Sequence, residues 1–230
     1  MPEQQAKGGR ILYGRRRGKP LRKGQQKLID RDLPRLAIPL DADCLDLPSL
    51  FPDPCRAYWL EIGFGGGEHL AWQAKANPDV GFIGCEPYIN GVAMLLGKLD
   101  EFGARNVRLH NEAAELLIDQ LPNASIERAF ILFPDPWPKS GHNKRRFVAT
   151  ANIAALARVL QPGAELRIAT DHTDYGAWIL WHMLQSRDFD WKAESPEDWR
   201  ERKDDWPATR YEMKAVKKGL RPVYYRFLRR

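Results

Sequence analysis

The sequence predicts an α/β domain built on a mostly parallel sheet with helices on both faces. Three observations lead there. From residue 57 onward, short apolar runs alternate with helix-length amphipathic segments. The ends of those runs carry glycine, acid or proline clusters, as ligand-binding strand ends do in such sheets. A length of 230 residues suits one domain with a single core.

Taken in order, the first 27 residues lack sustained periodicity and read as a flexible arm, with Gln25 to Ile29 able to begin a short ordered piece. Residues 30–56 hold five prolines and read as an irregular connection packed on the domain. The apolar runs 58–62, 80–85, 107–109, 129–133 and 166–169 predict strands. Ile89, Val92, Ala93, Leu96 and Leu99 recur at helical spacing, as do Ile153, Leu156, Ala157 and Leu160 before a Gln161-Pro162-Gly163 stop. A helix is expected from His69, and 222–228 reads as an antiparallel edge strand. The division is therefore 1–56, arm and connection, and 57–230, the folded domain.

Charge is uneven. Residues 1–27 carry nine Lys/Arg against Glu3, a charge of +8, and residues 210–230 carry eight against Glu212, a charge of +7. With the chain at +6, the stretch 28–209 stands at −9. Two basic ends on an acidic body suit a grip on a phosphate backbone. No window approaches the roughly 18 apolar residues of a membrane span. Cys44, Cys55 and Cys85 are odd in number and lack CxxC spacing, which suggests a reducing compartment and no metal. The start of the chain has no secretory apolar region, and its glycines and prolines leave no apolar face for a transit helix. A cytoplasmic protein is expected.

The first strand runs into Glu61-Ile62-Gly63-Phe64-Gly65-Gly66-Gly67-Glu68. Glycines let a backbone turn sharply and approach a ligand where a Cβ would clash. Glu68 stands where a dinucleotide fingerprint wants its third glycine. Glu61 would repel a pyrophosphate but suits the ammonium and sulfonium of S-adenosylmethionine. Glu86, at the second strand end, is placed to accept from ribose hydroxyls, a device NAD proteins share. At the third, Glu112, with Asn111 next, can accept from an adenine amino group, or can be a plain helix-start acid.

The fourth strand stops at Phe133-Pro134-Asp135-Pro136-Trp137-Pro138-Lys139, where three prolines fix the backbone and hold Asp135 and Trp137 in set directions. Gly141, His142, Asn143, Lys144, Arg145 and Arg146 follow as a flexible, cation-loaded turn that a helix start explains poorly, since cations there oppose the dipole. Trp137 can stack on a base or simply pack.

These motifs, with Ala169-Thr170-Asp171 and Thr209-Arg210-Tyr211-Glu212, resemble the bacterial tRNA (guanine-N7-)-methyltransferase family over roughly 60–230. The resemblance implies a Rossmann-like class I methyltransferase fold with a mostly parallel seven-stranded sheet. It implies S-adenosyl-L-methionine as cofactor and tRNA as partner, with a variable-loop guanine, position 46, as acceptor. It further implies a cofactor pocket lined by Glu61, Gly63, Gly65, Glu86, Glu112 and Asp135, with Asp135 also the active-site residue. Lys139, Asp171, Thr209, Arg210, Tyr211 and Glu212 then contact substrate, and residues 141–146 contact RNA. The family usually has Asp where Glu112 stands. No metal or membrane is implied, and the oligomeric state, monomer or homodimer, stays open.

Guanine N7 carries an in-plane lone pair at neutral pH, so its methylation needs no general base and rests on positioning and electrostatics. Asp135 can then stabilise positive charge developing on the purine, and Asp171 can accept from its N1 and N2 donors. Rival readings are methylation of an exocyclic base amine, an NAD(P)-dependent oxidoreductase, and a non-catalytic RNA-binding relative. Trp137 in place of a second proline argues against the first. Read from its residues alone, Thr209 to Glu212 is an ordinary capping box.

Overall fold

The computed structural model describes residues 4–5, 11–12, 14–40 and 43–230. Lys7 and Arg10 of the basic arm lie outside the described residues. Seven strands form one mostly parallel sheet: β1 (Ala57–Ile62), β2 (Val80–Cys85), β3 (Val107–His110), β4 (Ile126–Leu132), β5 (Leu160–Thr170), β6 (Phe189–Trp191) and β7 (Val223–Arg229). Their order is β3-β2-β1-β4-β5-β7-β6. The α/β class and the strands expected on periodicity are found. Two compact units make up the chain, Met1–Pro122 and Asn123–Arg230.

In the first unit β1, β2 and β3 pair in parallel, with Ile62 opposite Cys85 and Cys85 opposite His110, so the three carboxyl ends are level. Every residue of β2 is buried, and Trp59 meets Phe82 edge-on at 5.4 Å. A continuous apolar run with no alternation is what a doubly covered parallel strand requires. The strands are joined by α2 (Glu68–Ala76) and α3 (Ile89–Phe102), and α4 (Ala114–Gln120) follows β3. Helix α3 buries Val92, Ala93, Leu95, Leu96 and Leu99 and stops at left-handed Gly103, whose N–H caps the Leu99 carbonyl.

The leading segment departs from expectation. Lys23–Leu36 is a helix, α1, that packs on α3, so the short ordered piece the sequence allows at Gln25 to Ile29 extends into the segment expected to be irregular. Residues 14–19 also take set positions: the Gly18 N–H donates to Asn90 Oδ1 at 2.8 Å, and Ile89 N–H to the Arg16 carbonyl at 3.1 Å. Ile38 N–H bonds the Leu109 carbonyl, which covers part of the β3 edge. A helix with Pro34 in its last turn escapes a periodicity reading because only Asp32 and Leu36 are buried.

In the second unit β4 pairs in parallel with β5, and β7 runs antiparallel to both β5 and β6. The expected edge strand is therefore an interior one, and the three-residue β6, too short to show a period, lies outside it. Helices α5 (Thr150–Val159), α6 (Thr173–Gln185), α7 (Glu197–Arg200) and α8 (Arg210–Lys217) complete this unit. Its core includes Phe130, Leu166, Ile168, Tyr175, Ile179, Trp206 and Phe227. Beside it the buried Glu165 and Arg167 form an ion cluster with half-buried Arg226, which Asp205 closes at the surface.

Candidate active site

The glycine turn leaves β1 at its carboxyl end. Gly63, Gly65 and Gly67 have φ of +71°, +56° and +71°, a left-handed region that only glycine enters without strain. Gly63 N–H donates to the Cys85 carbonyl at 2.8 Å, and Gly67 is the N-cap of α2. A Cβ at Gly67 would lie 2.7 Å from Leu95 Cβ, whereas one at Gly63 would meet nothing within 4 Å. The Gly63 side of the turn is thus open for a ligand.

Glu86 braces this turn. Its Oε2 accepts from Gly65 N–H at 2.7 Å and its Oε1 from Tyr88 N–H at 2.9 Å. Each carboxylate oxygen has a second acceptor direction, so these bonds leave room for hydroxyl donors. Glu61 is buried, and its Oε2 takes a 2.7 Å hydrogen bond from His69 Nδ1. Glu112 is half-exposed and faces Arg16 at 3.8 Å, an ion pair the sequence reading did not foresee. Asn111 Nδ2 donates to the Glu86 carbonyl at 3.2 Å, which ties the second and third strand ends together.

This set fits S-adenosylmethionine on its own chemistry. Two carboxylates at adjacent strand ends flank a turn with one side free of Cβ atoms, a surface hostile to phosphate and receptive to ammonium, sulfonium and ribose hydroxyls.

In the second unit, Phe133 N–H bonds the Ala169 carbonyl at 2.8 Å and the proline-fixed loop begins. Phe133 and Trp137 have φ of +54° and +43°, each costing roughly 1–3 kcal/mol for a non-glycine residue. Asp135 stands between them and is exposed, and desolvation by the neighbouring protein raises its carboxyl above the usual carboxylate range. Trp137 is half-buried. His142 meets its ring edge-on at 5.9 Å, and the Arg145 guanidinium lies 5.1 Å from the ring centroid.

Ser140–Arg145 is a 3₁₀ helix, and α5 begins only at Thr150. The cations therefore close a short helix and do not open the long one, which removes the dipole conflict expected from sequence. Lys139, Gly141 and Lys144 are exposed, while His142, Asn143 and Arg145 are half-buried. His142 has its proton affinity lowered, first by desolvation and then by Arg145, Lys139 and Lys144. Arg146 is different: its side chain is 1% exposed.

Asp171 follows the last residue of β5 and is half-buried. Thr209 caps α8, its Oγ1 accepting from Glu212 N–H at 3.2 Å. Only this half of the expected capping box is used by the side chains in that way. The Glu212 carboxylate turns to Arg202 Nε and the Tyr224 hydroxyl, both at 2.9 Å on Oε1. Its Oε2 is buried with no hydrogen-bond partner among the described residues. Tyr211 is exposed and Arg210 half-buried, with Arg210 and Lys214 each about 6 Å from the Tyr211 ring.

Sequence reasoning missed His69, Gly91, Arg202 and Tyr224. A Cβ on Gly91 would sit 2.1 Å from the Gly65 carbonyl oxygen, so a glycine inside a helix was the available signal for a close approach. Nothing in the sequence pairs Arg202 and Tyr224 with a glutamate ten and twelve residues away.

Residues 56–224 match the family described as "Putative methyltransferase". The chain is 47% identical, over its whole length and 91% of the relative, to a tRNA (guanine-N(7)-)-methyltransferase of Rhodospirillum rubrum. It is 51% identical to one of Ruegeria sp. (strain TM1040), over 96% of this chain and 88% of that one. Among solved structures, an rRNA methylase from Streptococcus thermophilus matches with a TM-score of 0.52 at 14% identity, covering 80% of this chain and 91% of that one. A precorrin-6y C5,15-methyltransferase from Geobacter metallireducens matches with a TM-score of 0.50 at 17% identity, covering 79% and 84%. These two likenesses show the fold alone.

The sheet order and the acid-flanked glycine turn define a class I methyltransferase fold. Within that class, the chain belongs to the tRNA (guanine-N7-)-methyltransferase family.

Proposed function

We propose that this protein methylates N7 of a guanine in tRNA, the variable-loop guanine at position 46, with S-adenosyl-L-methionine as donor. The observation that carries the reading is Asp135: an exposed carboxylate held on a proline-fixed loop just beyond β4, partly desolvated, so that its charge is favoured when a cation appears beside it. Guanine N7 becomes that cation when it takes a methyl group. No proton need leave N7, so Asp135 acts as a charge stabiliser and orienter, not as a base.

The cofactor supplies an electrophilic methyl group. Glu61 would face its charged end, Glu86 its ribose, and Glu112 or Asn111 its adenine. Asp171 and the free Oε2 of Glu212 supply acceptors for the donors on guanine's other edge. Lys139, Lys144 and Arg145, with the basic first segment, would hold phosphates. No helix of the described residues is long and apolar enough to cross a membrane.

The test is digestion of tRNA after incubation with labelled cofactor, followed by identification and mapping of the labelled nucleoside. 7-Methylguanosine at position 46 is expected. Methyladenosine or methylcytidine would replace this reading with exocyclic-amine methylation.

A further inference from the structure

Arg146 belongs by sequence to a run of cations suited to RNA, yet its surroundings are those of an internal fixture. Its guanidinium lies 5.0 Å from the ring centroids of both Tyr175 and Trp178. Both rings are anchored on one residue: Val148 N–H donates to the Tyr175 hydroxyl at 3.2 Å, and Trp178 Nε1–H donates to the Val148 carbonyl at 2.7 Å. From this cage Arg146 Nη2 pairs with Asp174, and Nε donates to the Pro136 carbonyl at 2.9 Å. Nη1 is buried with no partner among the described residues. No part of this guanidinium is presented to a phosphate.

Pro136 is the residue between Asp135 and Trp137. Prolines 134, 136 and 138 have no N–H, so the loop has few donors with which to fix itself, and Phe133 just before it and Trp137 within it sit at positive φ. An external donor on the Pro136 carbonyl supplies the missing restraint. We propose that Arg146 is a positioning residue, a latch that sets the 134–138 loop and through it the Asp135 carboxylate. This rests on Asp135 meeting the methyl acceptor. Lysine cannot replace the latch, because one ammonium cannot stack between two rings while forking to both a carbonyl and a carboxylate.

The experiment uses the full chain with S-adenosylmethionine and a tRNA transcript, comparing Arg146→Lys, Asp174→Asn and Arg145→Ala with wild type. Arg146→Lys is expected to keep tRNA affinity and its salt dependence while kcat falls about 100-fold, the scale of a 1 Å misplacement. Asp174→Asn changes only the exposed end of the latch and should show the same split at smaller size, which keeps the test independent of whether Arg146→Lys folds. Arg145→Ala should weaken tRNA binding and flatten the salt slope by about 1. The latch is overturned if Arg146→Lys keeps wild-type kcat, or if it behaves as Arg145→Ala does. Wild type that forms no 7-methylguanosine removes the acceptor reading and the latch together. Wild type that forms it while both latch variants match its kcat removes the latch alone.

Discussion

Glu61 accepts a 2.7 Å hydrogen bond from His69 Nδ1, and both side chains are buried beneath the glycine turn. Gln73 Nε2 approaches His69 Nε2 at 3.2 Å, and Gln73 Oε1 accepts from Asn77 Nδ2 at 3.2 Å. An amide nitrogen is only a donor, so His69 Nε2 is the acceptor there and the ring proton sits on Nδ1, aimed at Glu61. Helix α2 and its cap residue Asn77 thus hold the carboxylate through a chain of three polar side chains.

His69→Ala removes the donor and leaves a buried carboxylate short of a partner, a loss of about 2–4 kcal/mol. S-adenosylmethionine affinity should fall with it. His69→Asn puts an amide N–H close to the old Nδ1 position and should restore most of both quantities. Urea unfolding and calorimetric titration read them separately. Wild-type affinity in His69→Ala would show that Glu61 needs no such support.

The glycines of the turn should differ in what replacement costs. Gly63→Ala carries only the left-handed backbone penalty, about 1–2 kcal/mol, because its Cβ meets open space. Gly67→Ala adds an overlap with Leu95 and should cost more. Conversely, Gly63→Ala should harm cofactor binding more than Gly67→Ala, because only its methyl points to the open side. Equal effects on stability and affinity at the two positions would mean that the turn does not contact the ligand.

What was legible in the sequence divides along a physical line. Strands β1, β2 and β4 showed because burial on both faces demands unbroken apolar runs, and the loops showed because left-handed turns and fixed bends demand glycine and proline. Features made by partners distant in sequence did not show. Arg146 looks like its neighbours Lys144 and Arg145, and only Tyr175, Trp178 and Pro136 make it internal. Helix α1 and strand β6 escaped because one buries too little and the other is too short for any period.

Asp135 should trade stability for activity. Desolvation raises its carboxyl, so the folded protein binds that proton more tightly than the unfolded chain does. The sign follows directly: ionising Asp135 disfavours the fold, an effect absent below the unfolded carboxylate value and growing as pH rises through the raised one. Asp135→Asn should therefore melt at or above the wild-type temperature at pH 7, while kcat falls at least 100-fold. Wild-type kcat should also decline on acidification with an inflection above the usual carboxylate range, and Asp135→Asn should lack that inflection. A variant both less stable and fully active would assign Asp135 to folding.

The ion cluster of Glu165, Arg167 and Arg226 makes a different prediction about pH. Burial alone would raise Glu165, but Arg167 and Arg226 outweigh it and hold the carboxyl below its usual value. A depressed carboxylate stabilises the fold above its unfolded value and loses that contribution as pH falls through the folded one. Glu165→Gln should therefore cost about 1–3 kcal/mol at neutral pH, by leaving Arg226 without its carboxylate and Arg167 with Asp205 alone, and much less once pH falls below the depressed folded value. Urea midpoints at the two pH values decide it, and a cost independent of pH would point to packing instead.

Glu212 carries the last prediction because one of its oxygens is fully used and the other is not. Oε1 already takes Arg202 and Tyr224, which fixes the carboxylate plane, and Oε2 is buried without a partner among the described residues. A buried acceptor left unused is rare unless something outside the chain uses it. If that is the N1 or N2 donor edge of guanine, Glu212→Gln should lower kcat/KM for tRNA by about 10- to 100-fold, the value of one well-placed hydrogen bond to a base. The salt slope of binding should not move, because no phosphate contact is lost. Arg202→Gln frees the carboxylate plane while keeping Oε2, so it should cost less than Glu212→Gln in kcat/KM. The opposite ranking would mean that Glu212 matters through Arg202 alone and that Oε2 does not meet the base.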